Sequence, residues 1–206
     1  MLMQQENRLC YQFDAEKLWI EAWGPNALRI RATKEAHMPR EDWALQKVES
    51  RGEITITEKE GRIRNGKITA VLSAGGKLTV YNQDGKLLLE EYSRNRKDLL
   101  DAKCSALEVE ARELRPIPEG DYHLTLRLES VDPEERLYGM GQYQQPYLNL
   151  KGTDLEMAHR NSQASVPFLL SSLGYGLLWN NPGVGRAVLG RNIMSFEAYA
   201  TKALDY

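Results

Sequence analysis

The residues best suited to chemistry lie in the last third of the chain, where two amides, a guanidinium and a phenol ring are grouped in the sequence. They are Asn161, Arg160, Gln142 and Tyr143. Amide and guanidinium groups form paired hydrogen bonds with hydroxyls, and an aromatic ring offers a flat apolar face beside them. This mixture indicates a binding site for a neutral ligand with several hydroxyl groups. The alternative is a loop whose polar groups bond only its own backbone.

A pair of catalytic carboxylates is harder to find. Cleaving a bond between sugars generally needs two of them, one as general acid and one as nucleophile or base. The chain has 29 Asp and Glu residues, but those near the polar group, Asp154 and Glu156, are two positions apart and are expected on one face of a strand. We therefore assign no catalytic residue.

Metal and cofactor chemistry is not indicated either. The three histidines, His37, His123 and His159, are far apart and lack the spacing of a zinc site. Gly139 and Gly141 form only part of a dinucleotide-binding fingerprint, with no helix predicted after them. We expect these glycines to make a tight turn, and we predict no bound metal and no cofactor.

Charge, cysteine content and hydrophobic runs indicate which partners the protein binds and where in the cell it is located. The 27 Lys and Arg nearly balance the 29 Asp and Glu, for a net charge of −2, which favours neither nucleic acid nor an anionic membrane. Cys10 and Cys104 are too few for a disulfide framework. The first residues do not resemble a signal peptide, and no apolar run is long enough to span a membrane. A cytoplasmic protein is expected.

The elements that would position the polar group are strands. The dipeptides Asn65-Gly66, Gly75-Gly76 and Asp84-Gly85 recur between short apolar runs. Such dipeptides supply the positive φ angles of two-residue hairpins, so three in succession predict an antiparallel meander. Residues 92–106 are highly charged and are expected to form a long connection. The meander strands are predicted at residues 67–72, 77–81 and 86–90.

Elsewhere, apolar and polar residues alternate with the period of a half-buried strand. Residues 121–129 place Tyr122, Leu124, Leu126 and Leu128 on one face. Many short strands with frequent turn signals are typical of a β-sandwich or barrel. We therefore predict an all-β fold, a large two-sheet antiparallel sandwich, with residues 1–206 forming one domain.

Several segments together resemble a known family. The sequences RLYGMGQ (136–142), DLEMAHRNSQASVPFLLSSLGYGLLWNN (154–181), VGRAVLGR (184–191) and TKALDY (201–206) are similar to the N-terminal β-sandwich of family-31 glycoside hydrolases. EKLWIEAWGPNALRIRAT (16–33) resembles the opening strands of that domain. The family includes α-glucosidases and α-xylosidases, and the resemblance covers nearly the whole chain.

The resemblance implies a galactose-mutarotase-like sandwich that precedes a catalytic (β/α)8 barrel. In this family two aspartates on the barrel hydrolyse α-glycosides with retention of configuration. The sandwich lends one loop to the active site, and that loop often carries Arg-Asp where this chain has Arg160-Asn161. The change from Asp to Asn keeps an acceptor, adds donors and removes a charge. Asn161, Arg160, Gln142 and Tyr143 are therefore expected to contact a carbohydrate substrate.

The same resemblance makes the barrel an expected partner of this chain. The barrel is absent from residues 1–206, so the chain alone is expected to be inactive. Without the barrel, the sandwich is expected to expose an apolar patch and to self-associate.

Two other functions remain open at this stage. One is a stand-alone carbohydrate-binding sandwich. The other is a mutarotase-like epimerase, whose chemistry needs a histidine and a carboxylate around a ring hydroxyl. His123 and Glu129 are the best candidates for that pair.

Overall fold

The structure is a computed structural model that describes residues 1–40, 42, 44–95 and 103–206. The regular elements of these residues are all β-strands, and every pairing between neighbours is antiparallel, which confirms the all-β prediction. The strands are β1 Leu2–Gln5, β2 Arg8–Phe13, β3 Glu16–Trp23, β4 Ala27–Thr33, β5 Glu53–Ile56, β6 Glu60–Asn65, β7 Ile68–Ser73, β8 Leu78–Asn82, β9 Leu87–Glu90, β10 Arg112–Pro116, β11 Tyr122–Glu129, β12 Leu137–Gln142, β13 Asp154–Met157, β14 Ala164–Ser171, β15 Tyr175–Leu178, β16 Gly185–Leu189, β17 Ile193–Thr201 and β18 Leu204–Asp205.

Backbone hydrogen bonds resolve the described part of the sandwich into four sheets. Two of them have five strands each, in the orders β1-β2-β3-β4-β18 and β10-β11-β17-β16-β13. A third five-stranded sheet, β5 to β9, runs in sequence order. The fourth sheet is small, in the order β12-β14-β15; Gln142 ends one of its strands, and Tyr143, Arg160 and Asn161 lie in the segments next to its strands.

The predicted meander is confirmed as the strands β7, β8 and β9, which β6 precedes. Its three turns each place a glycine at positive φ, namely Gly66, Gly76 and Gly85. Gly76 also needs to lack a side chain, since a Cβ there would lie 2.7 Å from the ring of Tyr11. The hairpins are therefore set both by local turn chemistry and by close packing against β2.

One hydrophobic cluster contains buried residues from all four sheets. In β11 the inward side chains of Leu124, Leu126 and Leu128 are almost completely buried, as the alternation predicts. Trp179 and Phe196 belong to this cluster and stack with ring centroids 5.5 Å apart. Each sheet thus buries one face against shared apolar side chains, which is what holds a sandwich together.

Charged side chains also lie inside the fold. Arg112 of β10 bonds Glu91, which follows β9, and Glu16 of β3, with nitrogen–oxygen distances of 2.5 and 2.6 Å. Glu91 also accepts the backbone N–H of Leu78, and Arg112 donates to the carbonyl of Gly76. These bonds connect three sheets through one buried ion pair.

The connection predicted at residues 92–106 falls partly outside the described residues, because 96–102 are not among them. Cys10 and Cys104 are free, and burial raises the pKa of the Cys10 thiol to about 11. Within the described ranges, no helix is long and apolar enough to cross a membrane.

Candidate functional site

The candidate site is built where β12, β13 and β14 meet. Gln142 ends β12 and pairs with Ala164 at the start of β14. Between β13 and β14 the chain folds into a tight turn, because the backbones of Arg160 and Gln163 exchange hydrogen bonds of 3.2 and 3.3 Å. Asn161 lies at the exposed tip of this turn. Because β12 and β14 are antiparallel, Gln142 pairs with Ala164, which follows Asn161 by only three positions in the chain.

The two glycines of β12 correct one expectation. Gly139 and Gly141 do not make a tight turn; they flank a β-bulge in the pairing of β12 with β14. A Cβ on Gly141 would lie 2.2 Å from the carbonyl oxygen of Ala164, and one on Gly139 would lie 2.4 Å from that of Phe168. Met140, between them, has a φ of 65° and a fully buried side chain. Glycine is needed at both positions because the backbone of β14 lies too close for a side chain. This contact is between strands distant in sequence, so the local pattern does not reveal it.

Arg160 is held by a carboxylate in the same site. Its Nε and Nη2 atoms bond both oxygens of Glu156 at distances between 2.6 and 2.9 Å. Both side chains are largely exposed, so this pair contributes little to folding. The hydrogen bonds from Arg160 to Glu156 raise the pKa of the guanidinium, which stays charged. The pair holds the guanidinium beside the tip through Nε and Nη2, and Nη1 takes no part in the bonds to Glu156.

Tyr143 is the most firmly held of the predicted binding residues. Its hydroxyl lies 3.0 Å from Oγ of Ser165 and 3.1 Å from the carbonyl oxygen of Glu156. Its ring is half-buried and packs against the hydrophobic cluster. Tyr143 therefore ties the end of β12 to both β13 and β14.

Gln142 and Asn161 have exposed side chains, and in the ranges that the structure describes neither forms a side-chain hydrogen bond. An unpaired amide at the surface is free to bond a ligand hydroxyl without first breaking a contact within the protein. The four predicted residues thus divide into two held by the scaffold, Tyr143 and Arg160, and two whose polar atoms face solvent.

Each carboxylate near the site forms an ion pair with an arginine side chain. Asp154 and Glu156 lie on the exposed face of β13, as predicted, but Asp154 bonds Arg186 and Glu156 bonds Arg160. Hydrogen bonding to Arg186 lowers the pKa of Asp154, so this group is poorly suited to act as a general acid. The site as described therefore offers polar groups able to bond hydroxyls, while its two acids are paired with arginines.

The histidine and carboxylate of the epimerase alternative do not meet. His123 lies 3.1 Å from Glu197 and packs edge-on against Tyr199, whereas Glu129 bonds Arg94 at 2.8 Å. Six residues along an extended strand separate His123 from Glu129 by roughly 20 Å. Nor do the described ranges contain any group of three or more His, Cys, Asp or Glu arranged to hold a metal ion.

An apolar stripe runs along the outer face of the small sheet. Val166, Phe168 and Leu170 alternate along β14 and are 53%, 40% and 47% exposed. The pairing places Tyr138 beside Leu170 and Leu178 beside Phe168. We call these five residues the apolar stripe. Because Gln142 pairs with Ala164 at the start of β14, the stripe ends next to the candidate site.

Comparison with known proteins places the chain. Residues 17–185 match the model of the glycosyl hydrolase 31 N-terminal galactose mutarotase-like domain. The chain belongs to the family-31 glycosyl hydrolases. The matching part of that family is the N-terminal domain, in agreement with the resemblance seen in the sequence.

Individual relatives agree with this family-31 assignment. The chain is 46% identical over its whole length to an uncharacterized family 31 glucosidase of Pseudescherichia vulneris, of which it covers 40%. It superposes with a TM-score of 0.95 and 47% identity on a GH31 α-xylosidase from a soil metagenome, solved with xylose, covering 100% of this chain and 31% of that one. Over 77 residues, 37% of the chain, it is 36% identical to α-xylosidase A of Aspergillus niger, 10% of which is covered. The chain thus spans well under half the length of these family-31 relatives.

Sequence reasoning missed one part of this family-31 domain. A buried ion pair of Glu135 and Lys151 lies at the base of the loop that follows β12. Glu135 and Lys151 are 16 positions apart and match no motif. In the sequence each is only a charged residue near an apolar strand, which is a weak signal.

Proposed function

We propose that residues 1–206 form the N-terminal β-sandwich domain of a longer retaining α-glycosidase of the α-xylosidase or α-glucosidase type. The family match supports this proposal, as do the two similarities that extend over the whole of this chain, one to a family 31 glucosidase and one to an α-xylosidase. In it, the catalytic carboxylates lie on a (β/α)8 barrel outside this chain. That placement fits a candidate site whose own acids are paired with arginines.

The domain's contribution is to present polar groups to an α-linked sugar. The observation that carries this proposal is the exposed tip of the β13–β14 turn. There Asn161 has an unpaired amide, and the backbones of Arg160 and Gln163 pair to close the turn. Gln142 supplies a second amide, Arg160 supplies a guanidinium held by Glu156, and Tyr143 supplies a half-buried aromatic ring. These groups form hydrogen bonds with sugar hydroxyls, so the sugar itself does not need to carry a charge.

The barrel would dock on the apolar stripe. Large apolar side chains that alternate on one outer strand face are unusual on a surface that stays in water. The stripe ends at Gln142, so a domain covering it would lie directly beside the sugar-binding groups. In the absence of the barrel, the stripe is also the surface through which the 206-residue chain would self-associate.

The test is Asn161→Ala in the full-length enzyme, assayed with aryl α-xylosides and α-glucosides. We expect kcat/KM to fall by an amount equivalent to about 1–3 kcal/mol, the usual cost of losing a hydrogen bond to a polar group of the ligand. Asn192→Ala is the matched control, because Asn192 is an exposed asparagine in the turn between β16 and β17. Equal kcat/KM for the wild type and Asn161→Ala would remove Asn161 from the site.

The 206-residue chain alone should not hydrolyse these substrates above a blank. If it did, the catalytic groups would lie within it and the proposed division of labour would be wrong. Saturable binding of an oligosaccharide by the chain alone would instead favour a stand-alone binding module. We also propose a cytoplasmic location, which the two free cysteines support.

A further inference from the structure

The loop that follows β12 is suspended between two anchors. At its start, Tyr143 is held by its hydroxyl and its packed ring. At its return end, Asn149 accepts the backbone N–H groups of Leu137 and Lys151 through Oδ1, at 3.0 and 3.1 Å. Between the anchors, Tyr147 and Leu148 are 62% and 81% exposed. The loop therefore runs back along β12 from Tyr143 to the Leu137 end of the strand, with an aromatic and an apolar side chain exposed between its anchors.

A buried ion pair secures the return end. The side chains of Glu135 and Lys151 are 0% and 4% exposed, and Nζ lies 2.9 Å from Oε2. The other carboxylate oxygen accepts the hydroxyls of Ser171 at 2.6 Å and Tyr175 at 2.8 Å. Lys151 also donates to Oγ of Ser130 at 2.7 Å. Both charged groups therefore have hydrogen-bonding partners inside the fold.

This network connects the parts of the chain that shape the site. Glu135 precedes β12, Ser171 ends β14, Tyr175 starts β15, and Lys151 ends the loop. It lies at the end of the small sheet opposite Gln142, roughly 17 Å away along five strand residues. None of its members reaches the sugar-binding groups directly. Its effect on them runs through the position of the loop and the register of β14.

Stability alone does not account for such a pair. Removing two charges from water is costly, and apolar replacements of similar volume often fold equally well. Apolar contacts have no preferred direction. A lysine and a carboxylate joined by several directional hydrogen bonds hold their segments in one arrangement. We infer that the Glu135–Lys151 pair is a positioning device that sets the loop of residues 143–150 against the sugar site. This inference rests on the proposed function.

The experiment compares three forms of the full-length enzyme with an aryl α-xyloside and an aryl α-glucoside. Lys151→Met leaves the Glu135 charge buried and unpaired, so both Tm and kcat/KM should fall. Glu135→Gln/Lys151→Met removes both charges and keeps an acceptor for Ser171 and Tyr175. The double variant should regain most of the lost Tm, but its kcat/KM should stay about tenfold below wild type, mainly through a higher KM.

The control is Glu91→Gln/Arg112→Met, which removes another deeply buried ion pair, between β10 and the segment after β9 and outside the loop of residues 143–150. It should change Tm and leave KM as in the wild type. Hydrogen exchange gives a second readout that does not need activity. The amides of residues 149–153 should exchange faster in the Glu135→Gln/Lys151→Met variant and at the wild-type rate in the control.

Wild-type kcat/KM in the Glu135→Gln/Lys151→Met enzyme would overturn the inference, as would unchanged exchange at residues 149–153. A failure of the proposed function looks different. In that case the wild-type enzyme would not cleave either substrate, and the exchange measurement would still decide whether the pair anchors the loop.

Discussion

β11 and β14 each contain eight residues, and each alternates between inward and outward side chains. In β11 the outward residues are polar, among them Thr125 and Arg127, and Arg127 bonds Glu113 on the neighbouring strand. In β14 the outward residues are Val166, Phe168 and Leu170, all well exposed. The same backbone pattern thus produces a face suited to water on one strand and a face suited to a protein partner on the other.

The largest difference in stability is expected between an inward leucine of β11 and an outward leucine of β14. Leu126 in β11 is fully buried, so Leu126→Ala should destabilise the 206-residue chain by about 2–5 kcal/mol, through lost transfer energy and the cavity left behind. Leu170→Ala on the outer face of β14 should cost about 1 kcal/mol, because Leu170 is already half in water. Urea unfolding measures both. Equal losses would mean that the outer face of β14 is packed within the chain itself.

The exposed face of β14 should affect stability more in the full-length protein than in the 206-residue chain. If a barrel covers the stripe, Leu170→Lys places a charge in an apolar interface and should destabilise the full-length protein by about 1–3 kcal/mol. Ile56→Lys is the matched control, since Ile56 is 40% exposed on β5, outside the stripe. Thermal unfolding of the two variants should separate them. The same Tm for both would argue that the stripe stays exposed and that the barrel docks elsewhere.

A smaller effect is expected where β14 meets the loop. Tyr143→Phe removes the hydrogen bonds from the hydroxyl to Ser165 and to the backbone of Glu156 and keeps the packed ring. The expected loss of stability is about 0.5–1.5 kcal/mol, the net worth of such bonds. Chemical denaturation of the wild type and the variant gives the difference. An unchanged midpoint would show that the ring alone holds the start of the loop.

Much of the fold follows from local sequence. The meander is predictable because Asn65-Gly66, Gly75-Gly76 and Asp84-Gly85 each encode a turn within two residues, and the confirmed strands lie between them. β11 is predictable because its alternation is uninterrupted. The short strands β1, β5 and β6 were not predicted, because their sequences mix polar and apolar residues without a clear period.

The site was predictable in its chemistry and less so in its arrangement. Residue types alone pointed to Asn161, Arg160, Gln142 and Tyr143, and whether they bind sugar stays a prediction. The sequence did not indicate that Arg160 is paired with Glu156 or that Tyr143 serves as an anchor. Those roles depend on which atoms of neighbouring strands come within hydrogen-bonding distance, and register decides that.

By itself, the sequence determined the fold class, the hairpins and the family, because turn dipeptides, strand alternation and linked motifs act over short distances along the chain. Tertiary structure decided the rest. It made a bulge of Gly139 and Gly141, turned the apolar residues of β14 outward, and joined Glu135 to Lys151 inside the fold. Each of these results depends on contacts between segments distant in sequence, and such contacts exist only once the sheets have packed together.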